Sequence, residues 1–397
     1  MFLFLSLTRI FVHYMAGIYI HIPFCKSRCT YCGFYSTTSL HLRESYADAL
    51  CRELTLRQDY LSDKTIETIY FGGGTPSLLS CKSIEKILSS IYNIYNVRAR
   101  EITMECNPDD IANSTAHSSQ DLLRHLRSLG INRLSIGIQT FNDHLLHILN
   151  RRHSAHQAEQ AVHAAQAEGF DNISIDLMFG LPGQTLEDFI SDLHKALTLG
   201  IQHLSVYSLT YEDNTPLSKQ LHDGIIKEAD EELSRTMYEH ILDITAQNGF
   251  AQYEISNFSL PGKESIHNSN YWKGVHYMGI GAGAHSFNTE SRQYNVESLA
   301  KYIKGANTGT IPTIKEVLTP TDKYNEFVLT ALRTHTGLKL HTLQHSFGTD
   351  LFNYFLRMAQ KHIEYGSMVQ DADTIRLTRK GLFTSNDIMS DLMYITD

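Results

Sequence analysis

Several features are scarce in this sequence, and each scarcity excludes a class of protein. The 397 residues include only six cysteines, too few for a disulfide-stapled scaffold. Basic residues are outnumbered, with 34 Lys and Arg against 43 Asp and Glu, so a broad nucleic-acid-binding surface is not expected. No apolar run reaches the roughly 20 residues that a membrane-spanning helix needs. Internal repeats and low-complexity linkers are also missing.

What is present fits a globular enzyme with large cores. Hydrophobic residues make up 42% of the chain and charged residues 19%, which is too apolar for a disordered protein. At roughly 150 residues per domain, the length predicts two or three domains. The apolar segment Met1–Val12 lacks the basic start and the cleavage site of a signal peptide. We therefore expect Met15 to be the functional start and residues 1–15 to be an upstream extension.

Short β-rich runs alternate with segments whose apolar residues recur at helical spacing. Such alternation predicts a parallel sheet with right-handed crossovers. We expect an α/β fold, an open six-stranded (β/α)6 partial TIM barrel over residues 16–215, with its site at the C-terminal strand ends. The predicted strands are Ile18–Ile22, Thr68–Phe71, Glu101–Glu105, Arg133–Ile138, Asn172–Met178 and His203–Ser208.

The pattern changes after the predicted barrel. Residues 216–315 are predicted to be α+β, with a long helix over Glu228–Asn248, an extended run over Tyr253–Phe258 and a glycine-rich stretch before His285. Residues 316–397 are predicted to form three helices, a hairpin and a final helix. That order is typical of a small winged-helix-like domain, but its acidic residues argue against DNA binding.

Polar and glycine residues cluster where the predicted strands end. Gly72-Gly73-Gly74-Thr75-Pro76 follows the second strand, Glu105-Cys106-Asn107-Pro108 the third and Gln139-Thr140 the fourth. The fifth strand carries Asp176 and ends in Gly180-Leu181-Pro182-Gly183. Because the ends of parallel strands meet at one rim, we predict a shared site there.

Three of the six cysteines crowd together directly after the first predicted strand. Cys25, Cys29 and Cys32 have the spacing Cys-x3-Cys-x2-Cys. Three thiolates on one loop can hold three irons of a 4Fe-4S cube and leave the fourth iron open. A structural zinc ion usually takes four protein ligands, and the sequence has no fourth cysteine nearby. The other three cysteines, Cys51, Cys81 and Cys106, have no motif.

With its Gly-Gly-Gly-Thr-Pro turn and its six βα units, this cysteine loop resembles the radical S-adenosylmethionine (SAM) superfamily. The lead-in Tyr19-Ile20-His21-Ile22-Pro23-Phe24 is similar to that of the oxygen-independent coproporphyrinogen III oxidase-like subgroup, and the resemblance covers about residues 16–390. It implies that Cys25, Cys29 and Cys32 hold the cluster. The open iron then binds the amino and carboxylate groups of SAM, and one electron from the cluster cleaves SAM to methionine and a 5'-deoxyadenosyl radical.

The resemblance also assigns SAM-binding roles to residues on the predicted rim. Glu105 would face the amino group, Asp176 would accept from ribose hydroxyls, and Arg151 would bind the carboxylate, although Arg152 competes for that role. The turn would let the protein backbone approach the methionine part of SAM closely, because its glycines have no side chain. The full implied set is Tyr19, Gly73, Gly74, Thr75, Glu105, Gln139, Arg151 and Asp176.

Two departures separate this sequence from the oxidases of the subgroup. Those oxidases carry another cysteine two residues after the cluster loop, where this chain has Phe34. They also resemble one another in a long segment before the first strand, whereas this chain has at most 17 residues there. Both departures put decarboxylation of coproporphyrinogen in doubt, and with it the assignment of an enzymatic activity.

A third feature points to another branch of the subgroup. His267-Asn268-Ser269-Asn270-Tyr271-Trp272 contains the only tryptophan of the chain and resembles the His-Asn-x-x-Tyr-Trp motif of the HemW haem chaperones. A neutral imidazole can ligate haem iron, and a Tyr-Trp pair can wall a macrocycle. His267 is therefore our predicted haem ligand. His285 is the competing candidate, and the alternative for His267 is a loop histidine among core aromatics.

We accordingly expect a cytoplasmic HemW-like haem chaperone that meets any acceptor at a membrane peripherally. Its cofactors would be a 4Fe-4S cluster, SAM and haem. Its partners would be acceptor haemoproteins and an electron donor for the cluster, and not nucleic acid. The alternative is an oxygen-independent coproporphyrinogen III oxidase, and a third possibility is a radical SAM enzyme with another substrate.

Overall fold

A single twelve-stranded sheet organises the molecule in the computed structural model, which describes residues 15–112 and 117–395. Its six central strands are parallel and follow one another in chain order. They are β1 (Ala16–Ile22), β2 (Thr65–Gly73), β3 (Asn96–Cys106), β4 (Arg133–Gln139), β5 (Ile173–Phe179) and β6 (His203–Ser208). This confirms the predicted six-unit α/β core. Residues 1–14 of the predicted upstream extension lie outside the described residues.

Helices connect these strands and cover the outer face of the sheet. Several begin at strong side-chain caps: Ser154 and Thr185 each form a capping box with the residue three positions later. Apolar side chains of the helices and strands then share one large core. The helices are α1 (Arg43–Leu56), α2 (Cys81–Ile94), α3 (Pro108–Ile111), α4 (His117–Ser128), α5 (Asp143–Ile148), α6 (Ala155–Ala167), α7 (Leu186–Thr198), α8 (Pro216–His222) and α9 (Glu231–Gln247).

The sheet continues on both sides of the six predicted strands. An antiparallel hairpin, β7 (Ala251–Glu254) and β8 (Asn257–Ser259), extends it beyond β6. The predicted extended run Tyr253–Phe258 therefore spans the end of β7, the turn and the start of β8. On the other side β9 (Tyr277–Ile280) pairs parallel with β1. Antiparallel neighbours follow, namely β10 (His285–Phe287), β11 (Ser291–Asn295) and β12 (Thr313–Val317).

The inner face of the central strands is polar for a protein interior, and a short helix closes it. That helix, α10 (Ile266–Trp272), begins beneath the strands, where the buried Glu101 carboxylate accepts from the Ile266 and His267 backbone N–H groups at 2.7 and 3.0 Å. The carboxylate thus satisfies two donors that a helix start leaves unpaired. Other buried polar residues on this face are Thr68, Thr103, Arg133, Ser135, Ser174, His203 and Ser205.

The C-terminal part has its own apolar core and a three-stranded antiparallel sheet. Its elements are α12 (Pro320–Arg333), β13 (Leu338–Lys339), α13 (Leu340–Glu364), β14 (Met368–Asp371), β15 (Thr374–Leu377), α14 (Arg379–Leu382) and α15 (Ser385–Leu392), and α11 (Leu299–Thr308) precedes them. Gly348, with φ of 80°, kinks α13 into two pieces, which accounts for the predicted third helix. Among the described residues, no helix is long and apolar enough to cross a membrane.

Candidate functional site

The cysteine loop leaves the end of β1 and is tied down on two sides. Backbone bonds from Cys25 to the Thr37 carbonyl (2.9 Å) and from Thr37 to the Pro23 carbonyl (2.6 Å) close its base. On the far side the Thr30 N–H donates to the Leu149 carbonyl at 3.1 Å. The loop therefore lies at the C-terminal rim of the central strands, where the site was predicted.

The three thiols of this loop lie close enough to affect one another electrostatically. Burial raises the pKa of Cys25 and of Cys32, and the neighbouring thiols raise both further. The Thr75 hydroxyl donates to Cys25 Sγ at 3.7 Å, and Arg151 Nη1 donates to Cys29 Sγ at 3.3 Å. A cation and a donor beside the sulfurs suit thiolate ligands. The residues present therefore fit an anionic iron-sulfur cluster.

The described side chains do not form a site for a single metal ion. Within residues 15–112 and 117–395, no three His, Cys, Asp or Glu side chains approach closely enough to hold one metal ion. A 4Fe-4S cluster takes one thiolate per iron, so its ligands lie farther apart than those of a single ion.

The side chains of Arg151 and Arg152 point in different directions and have different partners. Arg151 is directed into the site, where its Nη2 donates to Asn107 Oδ1 at 2.9 Å. Arg152 instead pairs with Asp109 at 2.6 Å, outside the rim. Asn150 makes this division possible, because its φ of 55° turns the backbone just before the two arginines. Of the two candidates, only Arg151 contacts the cluster loop.

The glycine turn after β2 packs so tightly that side chains are excluded. A Cβ on Gly72 would lie 2.8 Å from Tyr70 Cε1, and one on Gly74 would lie 2.8 Å from the Phe24 carbonyl oxygen. Gly73 has φ of 111°, and a Cβ there would lie 2.6 Å from the His21 ring. The turn is thereby pressed against β1 and the cysteine loop.

Glu105 is buried beside this turn. Its carboxylate accepts from the Tyr70 hydroxyl at 2.8 Å and from the Gly73 N–H at 3.0 Å. Burial raises its pKa to about 7, although Tyr70 and the Gly73 N–H act in the opposite direction. A carboxylate of this kind can gain a cationic partner at little desolvation cost, because its desolvation has already occurred on folding.

Asp176 and Gln139 occupy the neighbouring strand ends. Ser135 Oγ donates to Asp176 Oδ1 at 3.4 Å, and burial raises the pKa of Asp176 while the nearby Arg133 lowers it. Gln139 has φ of 72° where the β4–β5 register slips. A Cβ on Gly137 would lie 2.9 Å from Gln139 Nε2, so this amide reaches back over β4 toward the site.

Tyr19 forms the floor on the β1 side. Its ring stacks on Tyr70 with centroids 6.0 Å apart, and its hydroxyl lies 3.1 Å from His21 Nδ1. The rim therefore brings together all eight residues implied for SAM with the three loop cysteines. Their roles as ligands stay predictions.

Sequence reasoning gave no role to three residues of this site, although Asn107 belongs to the predicted strand-end cluster and His21 to the lead-in. Asn107 joins two predicted members, because its amide donates to Thr75 Oγ1 at 2.9 Å and accepts from Arg151. His21 supports Tyr19, and the buried Arg133 lowers the pKa of both Glu105 and Asp176. The position of Asn107 directly after Glu105-Cys106 was a usable signal, whereas nothing in the sequence marks Arg133.

The structure places His267 inside the barrel rather than at an open surface. Its Nδ1 lies 2.8 Å from Thr68 Oγ1 and its Nε2 lies 2.8 Å from the Tyr271 hydroxyl, so both ring nitrogens are engaged. The ring also stacks on Tyr70 at 5.0 Å, and burial lowers its pKa to about 3. His267 therefore has the surroundings of a core histidine, although it lies in α10 rather than in a loop, and its role as a haem ligand stays a prediction.

The other singled-out residues lie elsewhere. His285 is exposed on β10 and stacks on Tyr294 with centroids 5.2 Å apart. Cys106 is buried, and burial raises its pKa far above the usual thiol value, so it is an unreactive core residue. Cys51 and Cys81 lie in α1 and α2.

Comparisons with known proteins agree with this architecture. A model of the radical SAM superfamily matches residues 19–196, and one of the HemN C-terminal domain matches residues 318–384. The solved structure of the coproporphyrinogen III oxidase HemN from Escherichia coli has a TM-score of 0.80 and covers 96% of this chain and 90% of its own. At 23% identity, that match shows the fold alone.

Similar sequences carry the comparison further. The heme chaperone HemW of Lactococcus lactis subsp. lactis is 35% identical over 93% of this chain and 95% of that protein. The heme chaperone HemW of Bacillus subtilis is 34% identical over 94% of this chain and 98% of that protein. A mitochondrial radical S-adenosyl methionine domain-containing protein 1 from Bos taurus is 31% identical over 95% of this chain and 87% of that protein. This chain therefore belongs to the HemW family of the radical SAM superfamily.

Proposed function

We propose that this chain is a haem chaperone that carries a SAM-binding 4Fe-4S cluster, binds haem and transfers it to acceptor haemoproteins. The observation that carries the proposal is full-length similarity to proteins named heme chaperone HemW, at 35% and 34% identity. The radical SAM fold itself implies the cluster and SAM.

Phe34 supports the chaperone over the oxidase. It stands where the oxidases of the subgroup carry a further cysteine, and its side chain is 68% exposed just outside the cluster loop. A phenyl ring supplies neither a thiol nor an acid to a tetrapyrrole propionate. Decarboxylation of coproporphyrinogen thus lacks one of its expected residues, and it is the second candidate.

The loop cysteines Cys25, Cys29 and Cys32 are the residues that would hold the cluster. When bound, the cluster supplies an electron and one open iron. The guanidinium of Arg151, 3.3 Å from Cys29 Sγ, would stabilise thiolate charge and remain available to the SAM carboxylate. Arg151 and its partner Asn107 thereby tie the thiolates to the cofactor site.

The remaining rim residues would orient SAM. Glu105 would accept from its amino group and Asp176 from its ribose hydroxyls, while Tyr19 and Gln139 would bound the pocket. The glycine turn Gly73-Gly74-Thr75 would let the methionine part lie along the backbone, since a Cβ on Gly73 or Gly74 has no space. These are the sequence-derived roles, supported by the convergence of the residues on one rim.

Reconstitution with iron and sulfide under anaerobic conditions tests the proposal. We expect the reconstituted protein to bind haem, with one per chain at saturation, and to transfer it to an apo-haemoprotein such as apomyoglobin. The same sample, reduced and given SAM and coproporphyrinogen III, should form no protoporphyrinogen. Absence of haem binding would refute the proposal, and protoporphyrinogen formation would favour the oxidase.

Further parts of the proposal concern the surroundings of the protein. We propose that it works in the cytoplasm, receives electrons from a separate donor and delivers haem to acceptors that include proteins at the membrane surface.

We also propose the division into a barrel over residues 16–215, a flanking region over 216–315 and a C-terminal domain over 316–397. Limited proteolysis followed by mass measurement would test these boundaries.

A further inference from the structure

A cavity of about 580 Å³ lies between α10, the β9–β11 part of the sheet and α12. It is separate from the rim that holds the cysteine loop, and none of its lining residues belongs to the set implied for SAM. Its volume falls within the roughly 300–1,000 Å³ that small-molecule sites occupy. Two of its lining residues, Tyr271 and Trp272, come from the His-Asn-x-x-Tyr-Trp stretch.

The walls of this cavity are aromatic. Tyr271 and Tyr277 meet edge to face with centroids 4.7 Å apart, and Phe287 adjoins Tyr277 at 6.3 Å. Phe327 and Phe347 form the opposite wall, with centroids 5.4 Å apart. Such walls favour a flat apolar ligand, because ring faces and edges give large contact areas at little conformational cost.

Cationic side chains line the mouth of the same cavity. Arg292 pairs with Glu326 at 2.7 Å, whereas Lys323 pairs with Glu290 at 2.6 Å. Lys273 lines the cavity and has no ion pair among the described residues. An apolar ligand with a carboxylate arm would give this ammonium group a partner.

One lining residue can ligate iron without first giving up another bond. The lining contains no His, Cys or Met, and its two phenols differ: the Tyr271 hydroxyl is bonded to His267, whereas the Tyr277 hydroxyl makes no hydrogen bond to any described residue. Tyrosine is an established axial ligand of haem iron. Burial and Glu326 raise the pKa of this phenol, while Arg292, which also lines the cavity, lowers it and favours loss of the proton.

We propose that this cavity is the haem site, with the Tyr277 oxygen as the axial ligand and with Lys273 facing a propionate. The inference rests on the proposed haem-chaperone function and deepens it. On ligation the Fe–O bond replaces the phenol O–H bond, and the proton passes to solvent. His267 then acts as a positioning residue, because its bond to the Tyr271 hydroxyl fixes one wall.

Two probes distinguish the role of the cavity from that of the axial ligand. Binding of ferric haem depends on the cavity and on the Tyr277 oxygen, whereas binding of metal-free protoporphyrin IX depends on the cavity alone. Tyr277→Phe is expected to change the ferric haem absorption and electron paramagnetic resonance spectra and to weaken ferric haem about tenfold or more, while leaving protoporphyrin IX affinity unchanged. Ala331→Phe, which fills the cavity from α12, is expected to weaken both probes.

A matched control removes the same group outside the cavity. Tyr294→Phe deletes a phenol hydroxyl from β11 and is expected to leave affinity and spectra unchanged. Circular dichroism checks that each variant is folded. Normal ferric haem spectra in Tyr277→Phe would overturn the ligand, and normal protoporphyrin IX binding in Ala331→Phe would overturn the cavity. If wild-type protein binds no haem, it is the proposed function that fails.

Discussion

At the scale of single residues, the three loop cysteines differ from the other three in surroundings rather than in chemistry. We predict that Cys25→Ala, Cys29→Ala and Cys32→Ala each abolish the 4Fe-4S absorbance of the reconstituted protein, because each removes the only thiolate of one iron. Iron and sulfide content per chain measures this loss. Cys106→Ala is the matched control and should keep its cluster, since its sulfur is buried away from the loop. Loss of cluster in that control would contradict the assignment.

Glu105 gives a prediction for pH. Burial raises its folded pKa to about 7, above the roughly 4.3 of a free glutamate. The unfolded chain loses this proton first, so the group lowers the free energy of unfolding as pH rises from about 4 to 7. An ammonium partner requires the ionised form, so SAM affinity should rise as pH increases through about 7. Calorimetric titration of the reconstituted protein at several pH values measures this rise, and Glu105→Gln should remove it.

His267 and His285 form a natural pair for stability measurements. His267→Ala removes bonds to Thr68 and Tyr271 and leaves a cavity, so we expect it to lower the free energy of unfolding by about 2–4 kcal/mol. His285→Ala removes an exposed ring and should change it by less than about 0.5 kcal/mol. Urea titration followed by circular dichroism compares the two. Equal values would contradict a structural role for His267.

At the scale of elements, one buried carboxylate fastens the helix α1 to the sheet extension. Glu53 accepts from the Gly281 N–H at 2.8 Å and from the Asn295 amide at 2.7 Å, and it pairs with Arg57 at 2.8 Å. Glu53→Ala would leave the Arg57 charge and these donors without their partner. We expect a loss of about 3–5 kcal/mol in the free energy of unfolding, measured by urea titration.

The exposed Glu85 on α2 is the control for that measurement, since its replacement by alanine should cost less than about 0.5 kcal/mol. A small effect of Glu53→Ala would show that α1 is held to β9–β11 mainly by apolar packing.

The sequence and the structure agree best where local patterns are long. The six central strands were predictable because each contains a run of four or more β-rich residues, followed by a polar strand end and a helical period. The flanking strands were not, because β8 and β10 have only three residues each and their pairing is set by distant parts of the chain. His267 shows a related limit: a motif names residue types, but only the fold shows that Thr68 and Tyr271 occupy both its ring nitrogens.

At the scale of the whole molecule, β1 lies well inside the sheet and β12 lies at its edge. β1 is bonded to β2 on one side and to β9 on the other, whereas all five residues of β12 are exposed. We predict that amide hydrogens of β1 exchange with solvent among the slowest in the protein and those of β12 among the fastest. Hydrogen exchange with mass spectrometry measures both, and faster exchange in β1 would contradict the prediction.

The cysteine loop emerges directly from this inner strand, and its base is closed by the bonds of Thr37 with Cys25 and Pro23. Oxygen damage to an iron-sulfur cluster would then remove iron and sulfide, while the cysteine loop keeps its folded conformation. The chain could be repaired by resupply of iron and sulfide, without a chaperone to refold it and without new synthesis. A protein exposed to fluctuating oxygen would thus lose its cluster far more often than it unfolds.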